Sequence, residues 1–168
     1  MADAPRETLA GRQAVLEGLP DHPAVKAIVA WNPSALINAL YDRGELSLTV
    51  TPETIREAVA AVKNAGYNAF EDMTAVDWLP SEPRFQLSYH ILSHQYKERI
   101  RLKTWVDSSD PAIESITSVW PGANYYEREV FDLFGIRFEG HPNLRRILMP
   151  DDWVGHPLRK DYPVEGYR

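Results

Sequence analysis

Two stretches of strict alternation constrain this chain more than any other feature. Over residues 84–92, Phe85, Leu87, Tyr89 and Ile91 fall on one side, with Arg84, Gln86, Ser88 and His90 on the other. Over 97–106, Ile100, Leu102 and Val106 oppose Lys97, Arg99, Arg101 and Lys103. Period-two patterning buries one face of each strand and leaves the other wet, which is the habit of antiparallel pairing. Residues 70–78 are rich in strand-prone side chains and supply a third strand.

Helices account for much of the rest of the body. Thr51 can cap with its hydroxyl, Pro52 suits the first helical position, and Ile55, Val59 and Val62 recur at helical spacing before Gly66. A helix over 52–65 follows. Asp110-Pro111 reads as the start of a short helix through about Val119, broken by Pro121-Gly122. Asn124 reads as the cap of another, with Tyr126, Val130, Leu133 and Phe134 as its apolar stripe and Gly135 as its stop. Earlier, 24–30 and 46–50 read as strands. Pro33 followed by Leu36, Ile37 and Leu40 reads as a short helix ending near Gly44. Residues 1–23 read as a loosely ordered or helical lead-in that ends at the turn-like Pro20-Asp21-His22-Pro23. The expected fold class is α+β: a two-layer domain over 1–138, with a mostly antiparallel sheet packed by helices.

From Glu139 onward the patterning stops. Pro142, Pro150, Pro157 and Pro163, with Gly140, Gly155 and Gly166, exclude a long helix or a central strand. Yet this stretch holds Leu144, Ile147, Leu148, Met149, Trp153 and Leu158, unlike a disordered linker. Burying those side chains on one another does not offset the entropy of fixing so long an irregular backbone. The segment must gain hydrogen bonds and burial on its own domain or on another chain. Arg145-Arg146 and Arg159-Lys160 interleave with Asp151-Asp152 and Asp161, a pattern that suits a polar interface with bidentate arginine contacts. Residues 139–168 are therefore read as an extended, irregular, partner-binding tail.

Composition narrows the function classes. The chain contains no cysteine, so it has no thiolate nucleophile and none of the usual ligands of an iron–sulfur cluster. A net charge of −6 disfavours a free nucleic-acid binder, and Lys97, Arg99, Arg101 and Lys103 need no role beyond a wet strand face. No glycine-rich phosphate loop, dinucleotide fingerprint or nucleophile elbow is present. No window approaches the roughly 20 apolar residues of a membrane span. The first fifteen residues resemble neither a signal nor a transit peptide. His90 and His94 lie four apart on a strand, too far to share a metal, and His141 and His156 fit hydrogen bonding to a partner. The sharpest catalytic candidate is the pair Glu129 and Asp132, one helical turn apart beside the apolar stripe. Two such carboxylates repel unless a cation is near, and Arg145 or Arg146 could return to meet them. A structural or interface use outweighs an acid–base couple.

The spellings Glu127-Arg128-Glu129, Asp132, Phe134-Gly135-Ile136, Gly140-His141-Pro142, Leu144, Arg146-Ile147-Leu148 and Pro157-Leu158-Arg159-Lys160-Asp161-Tyr162-Pro163 resemble the C-type subunit of respiratory complex I, the NADH–quinone oxidoreductase. Its cyanobacterial and chloroplast counterpart is the J-type subunit. Asp72-Met73-Thr74-Ala75-Val76-Asp77-Trp78 resembles a strand motif of the same family. The resemblance implies an α+β domain with an extended C-terminal arm and no redox centre of its own. It would sit in the peripheral arm of the complex, on the cytoplasmic side of the inner membrane. There it would lie against the quinone-site (D-type) subunit and neighbouring iron–sulfur subunits. FMN, iron–sulfur clusters and quinone would belong to partner subunits. By the same analogy Glu127, Arg128, Glu129, Asp132, His141, Arg145, Arg146, Trp153, Arg159, Lys160 and Asp161 would form the partner interface. Homologous subunits of membrane-bound energy-converting hydrogenases and of ferredoxin-fed photosynthetic complexes share the tail motifs, so that alternative stays open.

Overall fold

The computed structural model describes residues 21–167. Most of the lead-in expected over 1–23 lies outside them. The alternating segments form the centre of a five-stranded sheet. In chain order its strands are β1 (Leu36–Asp42), β2 (Glu45–Val50), β3 (Ala69–Asp77), β4 (Phe85–Ser93) and β5 (Glu98–Val106). Across the sheet they run β1-β2-β5-β4-β3, all neighbours antiparallel except β2 and β5. Leu48, Leu102, Tyr89 and Met73 stand side by side in one buried row.

Helix α1 (Pro23–Trp31) packs against α2 (Ile55–Asn64), and α3 (Ala123–Phe134) packs against β3. Phe70 of β3 seats α3, with Trp120 stacked on one side and Tyr126 edge-on at 5.6 Å. Ile55, Ala58, Val59 and Val62 bury one stripe of α2, as the spacing requires. Thr51 does not cap it. Its hydroxyl bonds the Thr54 hydroxyl, and a 3-10 turn over Pro52–Thr54 leads into the helix.

Four further expectations are corrected. Residues 24–30 are helical: Pro23 opens α1, His22 Nδ1 accepts from the Ala24 N–H, and Ala24, Val25 and Ile28 bury a helical face. The segment after Pro33 is β1, because Arg43 and Gly44 (φ 51° and 84°) close a two-residue hairpin onto β2. A non-glycine residue at the first turn position hid that hairpin. The helix expected after Asp110-Pro111 is replaced by β6 (Ala112–Glu114), paired in parallel with β7 (Arg137–Glu139). The Arg137–Asp110 ion pair at 2.8 Å ties the same two segments, so long-range pairing overrides the local cap signal. Lastly, Gly122 rather than Asn124 stands at the start of α3, without a side-chain cap.

Candidate functional site

Beyond β7 the described residues of the tail have no strand partner, yet their backbone is bonded to the body through two buried aspartates. Asp132 sits in the last turn of α3 with its side chain fully buried. One of its oxygens accepts from Arg146 at 2.6 Å. The other accepts the N–H groups of Ile147, Leu148 and Met149 at 2.9, 2.8 and 2.9 Å. Burial pushes this carboxyl up, but those three N–H groups and the Arg146 guanidinium prevail and hold it below its ordinary range. With both oxygens engaged and the charged form favoured, Asp132 is poorly suited to act as a general base.

Arg146 reaches further, donating to the carbonyls of Trp153 and Gly155 at 3.0 Å each. Arg128, from the middle of α3, donates to the carbonyls of Arg145 and Arg146 at 3.1 and 2.9 Å. His156 Nδ1 bonds the Asp132 carbonyl, and the Leu158 N–H donates to the Leu133 carbonyl. The tail thus folds over the C-terminal end of α3. Gly135 makes the crossing possible. It adopts φ 74°, and a Cβ there would lie 2.6 Å from the His156 ring and 3.0 Å from the Arg159 guanidinium.

Asp77, at the end of β3, is the second anchor. It accepts Arg84 through both oxygens (2.9 and 2.7 Å), together with the N–H groups of Leu79 and Lys160. Burial raises its pKa, but Arg84 and the two backbone donors outweigh that and bring it to about 2. Arg84 also forks onto Asp161 at 2.9 and 2.7 Å, which links β4 to the tail. The alternation of 84–92 places Arg84 on the wet face; the structure buries it between these two aspartates.

Among the described residues Glu127 is the third buried acid, and the only one of the three without a cationic side chain bonded to it. It accepts from the Ser115 hydroxyl at 2.6 Å and the Ile116 N–H at 2.7 Å, and His141 Nε2 lies 4.0 Å away. Burial raises its pKa to about 7, and those two hydrogen bonds offset only part of the rise. His141 accepts the Asn143 N–H at Nδ1 and bonds the Asn124 carbonyl through Nε2, an arrangement of the neutral ring. Burial lowers its pKa in agreement.

The structure therefore brings Glu127, Arg128, Asp132, His141, Arg146, Arg159 and Asp161 into contacts within the chain, and the main-chain groups of Arg145, Trp153 and Lys160 as well. Glu129 does not join them. It is exposed; of the two acids only Asp132 meets an arginine, Arg146, of the pair Arg145 and Arg146 that charge offered. Sequence reasoning missed Asp77 and Arg84 as anchors. One signal was there: Asp77 has the same parity as Met73 and Ala75 on β3, so it is an acid at a core-facing position.

Known proteins resemble this chain in sequence and in fold. Residues 48–168 match the family described as respiratory-chain NADH dehydrogenase, 30 Kd subunit. The C-type subunit of NADH-quinone oxidoreductase from Roseiflexus sp. (strain RS-1) is 48% identical over 135 residues, 79% of this chain and 78% of the relative. The protein of the same name from Geobacter sulfurreducens is 50% identical over 126 residues, covering 74% and 78%. Among solved structures, a trypsin-resistant fragment (1–134) of Nqo5 aligns with a TM-score of 0.62 at 30% identity, covering 77% of this chain and 98% of the fragment. A chain of the membrane-bound sulfane sulfur reductase, an archaeal respiratory membrane complex, aligns with a TM-score of 0.72 at 29% identity, covering 83% and 84%.

Proposed function

The chain belongs to the family of the respiratory-chain NADH dehydrogenase 30 Kd subunit, and from that premise we propose that it is a cofactor-free structural subunit of a proton-translocating NADH–quinone oxidoreductase. In this reading it lies in the peripheral arm, docks against the quinone-site subunit beside the iron–sulfur subunits, and supports assembly. Its partners hold FMN, the clusters and quinone. It is a subunit of an enzyme and performs no chemistry alone. The assembly site is the cytoplasmic side of the membrane, reached through partners; among the described residues no helix is long and apolar enough to cross a membrane.

One observation carries the docking role. The tail's main chain is bonded inward, while Leu148, Trp153, Val154 and Leu158 stand outward, 41–63% exposed. Large apolar side chains on a rigidly bonded, irregular support are what an interface core needs. The tail charges Arg145, Lys160, Asp151 and Asp152 are exposed beside them and would form its polar rim.

A second reading has its own support: the likeness to the sulfane sulfur reductase chain fits a homologous subunit of another membrane-bound respiratory complex, akin to the hydrogenase and ferredoxin-fed relatives. A tagged pull-down from native membranes in mild detergent separates the two. Recovery of a flavin-bearing, NADH-oxidising subunit with the quinone-site subunit is expected. Recovery of the quinone-site homologue with a hydrogenase-type or ferredoxin-fed module instead would select the second reading, and recovery of the chain alone would sink both.

A further inference from the structure

Arg146 and Arg159 are the two half-buried arginines of the described tail, and only Arg146 has a carboxylate bonded to it. The Arg159 Nε–H donates to the Phe134 carbonyl, and its guanidinium stacks over the Phe85 ring at 5.2 Å. Its terminal amino groups have neither an ion pair nor a hydrogen bond among the described residues. Asp161, the acid that lines the same pocket, has both oxygens bonded to Arg84. Burial and the neighbouring Arg84 charge push the Arg159 pKa down, against the smaller pull of Asp161 and Asp77. Arg84, gripped by two carboxylates, moves the other way.

Its guanidinium opens into a surface pocket of about 140 Å³, lined by Gly155, His156, Asp161, Tyr162 and Tyr167. That is well below the roughly 300 Å³ at which pockets begin to hold drug-sized ligands. The pocket is built rather than incidental. The Tyr162 and Tyr167 rings meet edge to face at 5.3 Å, and both close on Gly155, where a Cβ would lie within 2.9 Å of each. Leu158, Trp153 and Val154, three of the outward apolar residues of the tail, lie in the same stretch of chain.

We propose that this pocket is a carboxylate-binding site that receives an aspartate or glutamate side chain of the neighbouring quinone-site subunit, gripped bidentately by Arg159 and flanked by Tyr162 and Tyr167. The inference rests on the docking reading above and gives it a specific contact. A planar fork matches a carboxylate through two parallel bonds, whereas a lysine at the same place would act as a point charge. The exposed apolar residues of the same stretch of chain would pack against that subunit and help exclude water from the contact, the arrangement in which an arginine contributes most to binding.

The test uses the full chain and two readouts. First, sodium acetate is titrated against acetamide and inorganic phosphate at constant ionic strength while amide resonances are followed. Saturable shifts at Gly155, Tyr162 and Tyr167 with acetate alone are expected, absent in Arg159→Gln. Equal shifts with acetamide, a preference for phosphate, or no shift would overturn the site. Second, affinity for the purified quinone-site subunit is measured. Arg159→Gln and Arg159→Lys should both weaken it, by roughly 10- to 100-fold, while the Leu158 N–H stays protected from exchange. A lysine variant that binds like the wild type would overturn the bidentate contact. If acetate saturates the pocket but the unaltered chain does not bind that subunit, the docking reading fails and the carboxylate site remains.

Discussion

The body and the tail of this molecule solve the same problem by opposite means. In the body each strand finds its hydrogen bonds on a neighbouring strand, and apolar side chains such as Leu48, Leu102 and Ile100 fill the layer beneath. In the tail, side chains of the body stand in for the missing strand. Asp132 and Asp77 accept its N–H groups, while Arg128 and the tail's own Arg146 donate to its carbonyls. Order in the body is spread over many weak contacts. Order in the tail is concentrated in a few charged groups, so single substitutions and acid should separate the two regions.

Asp132→Ala should break the contrast most sharply. It leaves three N–H groups without their acceptor and the half-buried Arg146 without its carboxylate, a loss of about 3–5 kcal/mol. Limited trypsin digestion should then cut quickly after Arg145, Arg146 and Arg159, while the body keeps its circular dichroism and cooperative melting. Glu127 should sharpen the contrast from the side of the body. Its folded pKa is raised, so between about pH 4.5 and 7 the native state holds a proton that the unfolded chain has released. Stability should fall as pH rises through that window, by about 3 kcal/mol. Glu127→Gln should flatten that slope in denaturant titrations and leave tail cleavage unchanged.

Asp77 carries the opposite sign. Its folded pKa is depressed, so its contribution is full above about pH 4 and is lost as pH falls towards 2, a change of about 2 kcal/mol. Acid titration of tail protection at the Lys160 N–H should follow that fall. Gly135→Ala should have the smallest effect, about 1–2 kcal/mol from the left-handed backbone, with the His156 ring displaced. Chemical-shift changes confined to 153–160 would register it.

How much of this was readable beforehand follows from the same division. β4 and β5 were legible because alternation is a local signal, and α2 and α3 because their apolar stripes are. α1 and β1 exchanged types because short apolar runs fit both periods. β6 was hidden because its partner β7 lies far along the chain, beyond the whole of α3. Charge alone pointed to Arg145 or Arg146 returning to Glu129 and Asp132, and Arg146 meets Asp132. The capture of Ile147, Leu148 and Met149 by one carboxylate was not, since backbone donors leave no trace in residue identity. Arg84 misled for the reverse reason: alternation assigns a face, but two aspartates can make a buried position suit a cation.

The most direct measurement is native-state hydrogen exchange on the isolated full chain, read at the amides of Ile147, Leu148, Met149 and Lys160. If two carboxylates of the body order the tail, these four amides are protected well beyond random-coil rates. Asp132→Ala then releases the first three and spares the amides of β4 and β5. Random-coil exchange at all four in the unaltered chain would contradict it and would mean that the tail gains its order only from a partner.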